Sequence, residues 1–458
     1  MKGSNSWNYT PYIPLNESCF QFAPYIVSIA PFKTGFTFEW LKAKDGYSHT
    51  ITIKEKGGKK VTTLPLDKSP FTVTGLKENT DYEFFIESEK EQKSKIRLVY
   101  TAEFPGNVIN YLHPQDTAYT FSGKYLCSPS IVKYDENKYL LSMDVFGRKM
   151  PQNHTLIFRS IDGGETWNYV TEIHPCFWGK LFVHNGEIYL LGVSTQYGSL
   201  VIGKSLDQGE TWSKPSIIFT GGAPNGEGYH RAPCVIEKAN GRLWTSVEYG
   251  SWYFTGFSNS VLSIDENADL LNGENWVVSQ GYNHGEDIIC PEDGMVTGVF
   301  QRESKKITIE GNVLTMPNGE LVNFLRYKDG KAVLLSVDKN QPEKQSEFFK
   351  EVDFTLADTK FEIQKHSNGK YYAIGNDSEC KRSKLSIYSS LDLIEWKREL
   401  TVLDYSHMDD NLIGFQYPVF TFEDYGFLVI SRTAFNKADC YHDSNCISVH
   451  KVIFDFNK

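Results

Sequence analysis

Apolar and polar residues alternate with a period of two along most of this chain, and helical periodicity is scarce. Phe36, Phe38 and Trp40 share one face of a predicted strand, and Tyr82, Phe84 and Ile86 share one face of another. Residues 74–82, with Gly75, Asn79 and Asp81, read as the turn that enters the second of these strands. Short alternating strands of this kind run from 24 to 103 and predict a small β-sandwich. An irregular leader, 1–23, rich in Asn, Ser, Tyr and Pro, precedes them. Ala102-Glu103-Phe104-Pro105-Gly106 marks the boundary that follows.

From 107 to 458 the pattern becomes repetitive. Six units each show an apolar strand, a turn, a second apolar strand, and a polar residue where the second strand ends. The first strands begin near Ser128, Gly179, His230, Glu310, Phe361 and Gln416. Five second strands end at Asp144, Glu248, Arg326, Asn376 and Arg432. Regular supersecondary repeats of this length predict a propeller. The expected fold is all-β, a six-bladed β-propeller (107–458) preceded by the β-sandwich (24–103). Residues 107–126 are expected to supply a strand that closes the ring with the last blade.

A short motif occurs twice at blade spacing, as Ser160-Ile161-Asp162-Gly163-Gly164-Glu165-Thr166-Trp167 and Ser205-Leu206-Asp207-Gln208-Gly209-Glu210-Thr211-Trp212. Its chemistry suits a hairpin turn. Asp accepts from nearby backbone N–H groups, Gly supplies positive φ, and Trp folds back over the turn. Weaker copies begin at Ser390 and Ser263.

Composition narrows the function. Aromatics make up 14% of the 458 residues, as suits strands that bury rings. A net charge of −10 argues against nucleic acid as a partner, because phosphate binding needs a positive field. No apolar run approaches the length of a membrane span, so no membrane partner is expected. The start, Met1-Lys2-Gly3-Ser4-Asn5-Ser6-Trp7, has no apolar export core; the expectation is a cytoplasmic protein or a trimmed secreted or periplasmic form. The eight Cys lack metal-ligand spacing, and Cys440 and Cys446 are expected as free thiols. Neither a metal nor a cofactor is expected, and the oligomeric state is not legible.

The repeated motifs resemble the Asp-boxes of sialidase-like β-propellers, in which they are structural and lie on the face away from the active site. Residues 74–82 resemble the turn before a late strand of fibronectin type III domains, with Leu76 plugging the core and Tyr82 anchoring the corner. The sialidase resemblance is sharpest in Glu310-Gly311-Asn312-Val313-Leu314 and the stretch from Pro317 to Arg326. In the family that segment begins with a catalytic Glu and ends with an arginine of a carboxylate-binding triad. Gln416-Tyr417-Pro418 falls where the family places its nucleophilic Tyr, and Arg382 falls in a region resembling that of another triad arginine. Sialidases open their first blade with Phe/Tyr-Arg-Ile-Pro; here Leu126-Cys127-Ser128-Pro129 places Cys127 at the position of the first triad arginine.

The resemblance implies a glycan substrate and catalytic residues Tyr417 (nucleophile), Glu310 (its base) and Asp144 (acid). Arg326, Arg382, Arg231, Arg432, His230, Gln416 and His442 are the candidate substrate-binding residues. A phenol is a weak nucleophile at neutral pH and needs a neighbouring carboxylate to take its proton. Arginines hold a carboxylate by bidentate, charge-assisted hydrogen bonds. Three readings stay open: a sialidase-like exo-glycosidase, a polysaccharide lyase for uronic acids, and a non-catalytic glycan-binding propeller. Trp178, Tyr249, Trp252 and Tyr253 are candidate surfaces for sugar rings.

Overall fold

The computed structural model describes residues 23–42, 46–222, 226–252, 256–284 and 307–457. The leader up to residue 22, Tyr253 and residues 285–306 lie outside the described residues.

The chain is all-β. Its first seven strands form two facing sheets. Tyr25–Phe32, Gly35–Leu41 and Phe71–Thr74 make one; Lys60–Leu66, His49–Glu55, Thr80–Ser88 and Arg97–Thr101 make the other. Alternation along these strands turns Phe36, Phe38, Trp40, Ile51, Ile53, Tyr82, Phe84 and Ile86 into a shared buried core. Leu76 is buried beneath the turn that follows, and the Tyr82 hydroxyl accepts a hydrogen bond from the Lys77 backbone N–H at 2.9 Å.

Six further sheets form the propeller, each an antiparallel meander. Their innermost strands are Tyr125–Asp135, Phe177–His184, the pair Gly228–His230 and Glu237–Ala239, Ile309–Thr315, Glu362–Lys365 and Gly414–Glu423. The last sheet takes its outer strand from the start of the ring, where Asn107–Tyr111 pairs with Cys446–Ile453 and Tyr111 lies opposite Cys446. Tyr111 and Cys446 also pack into the core of the sandwich. A buried ion pair joins the same two regions. Arg97 Nε lies 2.7 Å from Asp116 Oδ2, and Arg97 Nη1 donates to the Ile26 carbonyl at 2.8 Å.

The repeated turns connect third to fourth strands. Asp162 Oδ1 accepts from Ser160 Oγ (2.8 Å) and Thr166 N (3.0 Å), and Trp167 Nε1 donates to the Gly164 carbonyl at 3.2 Å. Asp207 repeats the pattern with Ser205 Oγ and Thr211 N, both at 2.8 Å. At the weaker copy Leu393 takes the left-handed conformation (φ 67°) that glycine takes elsewhere. In an antiparallel meander these turns lie at the end of the sheet opposite to the start of the inner strand.

The start of the inner strand carries a second repeated device. In four blades the ladder slips by one position, and the residue at the slip has positive φ: Ser128 (47°), Trp178 (52°), Glu310 (55°) and Tyr417 (48°). Such a conformation costs about 1–3 kcal/mol for a non-glycine residue and persists only where its surroundings enforce it. Pro129, Gly179, Gly311 and Pro418 follow the slipped residues. A Cβ on Gly311 would lie 2.1 Å from Asn323 Oδ1, so no side chain fits where the blade crowds its neighbour.

Blade three departs from the expected continuous strand beginning at His230. Residues 231–236 leave the ladder, and both flanking pieces pair with Arg242–Ser251. Pro233 has no N–H to donate, and Arg231 turns toward blade two.

Candidate active site

The slipped residues converge at one end of the ring. Tyr417 in blade six donates its hydroxyl hydrogen bond to Glu310 Oε1 in blade four. Glu310 Oε2 lies 2.6 Å from Arg326 Nη1, and Arg326 Nη2 donates to the Asp358 carbonyl at 3.0 Å. Glu310 and Arg326 are buried, and Tyr417 is half-buried. Burial alone would raise the Glu310 carboxyl; the Arg326 guanidinium, His230 and the Tyr417 hydroxyl outweigh it and hold the group at about 2. Burial and the Glu310 carboxylate push the Tyr417 phenol upward. The resting state therefore keeps the proton on Tyr417 and the charge on Glu310.

Two more arginines flank this group. The Arg432 guanidinium lies 5.3 Å from the centre of the Tyr417 ring and 4.4 Å from that of Phe146. It donates from Nε to Ser444 Oγ at 2.8 Å and from Nη2 to the His442 carbonyl. Its charge also acts on the Cys127 thiol, which burial raises to about 12. Arg432 thus reaches from blade six toward the position where a first-blade arginine was expected. Arg382 Nη1 donates to Gln416 Oε1, and Gln416 Nε2 to the Tyr441 carbonyl. His442 pairs through Nδ1 with Asp443 Oδ1 at 2.8 Å. Burial and the Arg432 charge bring its imidazole down to about 3, so it is neutral at ordinary pH.

Two sequence candidates are turned elsewhere. Arg231, expected among the substrate ligands, donates from Nη1 to the Trp178 and Leu191 carbonyls at 3.1 and 2.6 Å. Its guanidinium supports the backbone of blade two, and burial lowers it to about 10. Asp144, expected as the acid, has both carboxyl oxygens engaged between blades one and two. Oδ1 lies 2.6 Å from Thr155 Oγ1, and Oδ2 accepts from Trp178 N at 2.8 Å. Thr155 Oγ1 also lies 3.1 Å from the Cys176 carbonyl. The Thr155 hydroxyl donates toward both of these oxygens. Burial raises the Asp144 carboxyl to about 8 despite the hydrogen bonds from Thr155 and Trp178.

An Asp whose folded value is raised loses stability as pH climbs from the unfolded value toward the folded one. Asp144→Asn reproduces the neutral group. The variant is expected to fold, to match wild type near pH 4, and to melt progressively higher than wild type between pH 5 and 8. Thermal unfolding across that range checks this; equal pH dependence in both proteins would show that Asp144 is ionised.

Sequence reasoning left some polar groups without a role. Glu248, near the end of the second strand of blade three, accepts from His230 Nδ1 at 2.9 Å through Oε2 and from the Glu310 backbone N–H at 2.9 Å through Oε1. Beneath the site, Glu362 of blade five takes Lys180 of blade two at 3.9 Å and Lys360 at 3.5 Å. Gln364 Nε2 donates to Glu362 Oε1 at 2.6 Å. These buried groups span the axis between blades two and five. Lys360 occupies in blade five the register position of Glu310 and Tyr417. Superposing the six strand starts on the sequence would have singled it out.

No protein-family model matches the chain, and no curated protein matches it. Solved structures do. The chain is similar to the Hadza microbial sialidase Hz136, at 11% identity and a TM-score of 0.51 over 94% of each chain. It is also similar to a mutant of the α-L-arabinofuranosidase arb93a from Fusarium graminearum in complex with an iminosugar inhibitor. That match has 13% identity and a TM-score of 0.50, over 76% of this chain and 98% of the other. At these identities the likeness is one of fold.

Proposed function

We propose that the protein is a sialidase-like exo-glycosidase that cleaves a terminal, acidic sugar from a glycan with retention of configuration. The observation that carries this reading is the hydrogen bond between Tyr417 and Glu310, two groups from different blades that share no structural need for each other. Tyr417 Oη attacks the anomeric carbon and Glu310 takes its proton. A phenol suits an anionic substrate, because a carboxylate nucleophile would be repelled by it.

Arg326 and Arg432 act on Tyr417, and Arg382 holds the neighbouring Gln416, in a chain whose net charge is −10. Together they form the carboxylate site, with Arg432 in the role left open by Cys127. Arg326 then couples binding to chemistry. An incoming carboxylate that engages it loosens its hold on Glu310, and the Glu310 carboxylate becomes more basic when the phenol must ionise. Arg432→Lys keeps the charge but loses the planar fork. It is expected to raise KM for acidic substrates about tenfold, the equivalent of about 1.4 kcal/mol, while leaving neutral glycosides of the same leaving group unchanged. Steady-state kinetics on a matched pair of substrates measures this.

The repeated Ser-x-Asp turns are read as Asp-boxes, and residues 24–103 as a fibronectin type III-like module that docks on the propeller (107–458). The buried Leu76 and the hydrogen bond to the Tyr82 hydroxyl support the latter. The test of function is a screen of nitrophenyl and methylumbelliferyl glycosides of acidic and neutral sugars, run beside Tyr417→Phe and Glu310→Gln. Binding without turnover, unaffected by either variant, would make the protein a glycan-binding module instead.

A further inference from the structure

We infer that His230, oriented by Glu248, is the proton donor to the leaving oxygen and the base for the attacking water. This inference rests on the glycosidase reading above. That reading needs an acid, and the structure keeps the Asp144 carboxyl engaged with Thr155 and Trp178.

His230 Nδ1 is committed to the Glu248 carboxylate at 2.9 Å. That contact fixes the ring, leaving Nε2 on its far side with no hydrogen-bond partner among the described residues. A carboxylate on one imidazole nitrogen sets the tautomer and stabilises the charged ring, as proton-transfer histidines require. Aromatic rings close the remaining sides. Trp178 lies 4.3 Å from the imidazole by ring centres, Phe257 4.8 Å and Trp252 6.3 Å.

The dyad is tied to the nucleophile through one residue. Glu310 offers its backbone N–H to Glu248 Oε1 at 2.9 Å while its carboxyl holds Tyr417. The left-handed conformation of Glu310 (φ 55°) is what points the two groups of one residue at two partners. The imidazole is therefore linked, through Glu248, to the backbone of the residue whose carboxyl holds Tyr417.

The steps balance. Tyr417 Oη bonds to the anomeric carbon as its proton passes to Glu310. The bond from that carbon to the leaving oxygen breaks, and its electron pair takes the proton from His230 Nε2. Water then attacks the anomeric carbon, gives a proton to His230 and displaces the Tyr417 phenolate, which recovers its proton from Glu310.

The test uses the full chain with dinitrophenyl glycosides, which need no acid to depart, and the matching methyl glycosides, which do. The panel is built on N-acetylneuraminic acid and glucuronic acid. His230→Gln is expected to slow methyl glycoside hydrolysis on the order of 100-fold or more. On dinitrophenyl glycosides it should release a burst of phenolate at the wild-type rate, then turn over slowly. Azide, which needs no base, should restore that turnover and yield a glycosyl azide. Glu248→Gln should show the same pattern in weaker form, and Tyr417→Phe should show neither burst nor azide rescue. Equal loss on both leaving groups without a burst would overturn the role of His230 and leave the glycosidase reading standing. An unsaturated, ultraviolet-absorbing product, or wild-type rates in Tyr417→Phe, or no turnover of any member of the panel, would remove the reading on which it rests.

Discussion

Tyr417→Phe and Glu310→Gln are each expected to lower kcat/KM on the order of 100-fold or more on any glycoside the protein cleaves. The phenylalanine variant keeps the ring and the Glu310–Arg326 pair but has no atom with which to attack. The glutamine variant keeps the shape and has no base to ionise the phenol. Because the two groups act as one unit, the double variant should fall about as far as the worse single one, not by the product of both losses. Steady-state kinetics on the four proteins, with circular dichroism to confirm folding, gives the comparison. Glu310 held at about 2 stays ionised over the whole working range, so an acid limb of activity near neutral pH belongs to another group. A depressed carboxyl stabilises the fold above its unfolded value and ceases to as pH falls toward 2. Losses that multiply would show that Tyr417 and Glu310 act independently.

Asp116→Ala is expected to cost about 3–5 kcal/mol of stability, because it strands a buried charge. The Arg97 side chain is 2% exposed and that of Asp116 is fully buried. Asp116 also accepts from the backbone N–H groups of Leu98 and Ala118, at 3.3 and 2.8 Å. Removing it leaves the guanidinium charge without a counter-ion and two amides without a partner. Replacing both members by apolar residues of similar volume, as in Arg97→Met with Asp116→Leu, should recover most of the loss on the arginine side. Urea unfolding at constant pH measures both; a loss under 1 kcal/mol in Asp116→Ala would mean that water reaches the site.

The architecture was legible because strand periodicity and turn chemistry are local. Ser160 to Trp167 and Ser205 to Trp212 make their hydrogen bonds within eight residues, so the sequence alone carries them. The second strands expected to end at Asp144, Glu248, Arg326, Asn376 and Arg432 do end there or two to three residues later. What the sequence hides is direction. Arg231 and Tyr417 were both expected at an inner-strand start, yet one supports the neighbouring blade and the other meets Glu310. That choice depends on a one-residue slip and a positive φ, which neither residue type announces. Glu248 had no assigned role because its partners, His230 and the Glu310 amide, come from separate segments of the chain.

The pairing of Asn107–Tyr111 with Cys446–Ile453 has a consequence for biosynthesis. The earlier strand must wait, with one edge open, until Cys446–Ile453 has been made. Contacts so distant in sequence are slow to form, and an unpaired edge invites pairing with other chains. A nascent chain stalled before Cys446 would carry two such edges, one at each lip of an unclosed ring. Termination just before Cys446 should therefore yield aggregates in place of a closed ring.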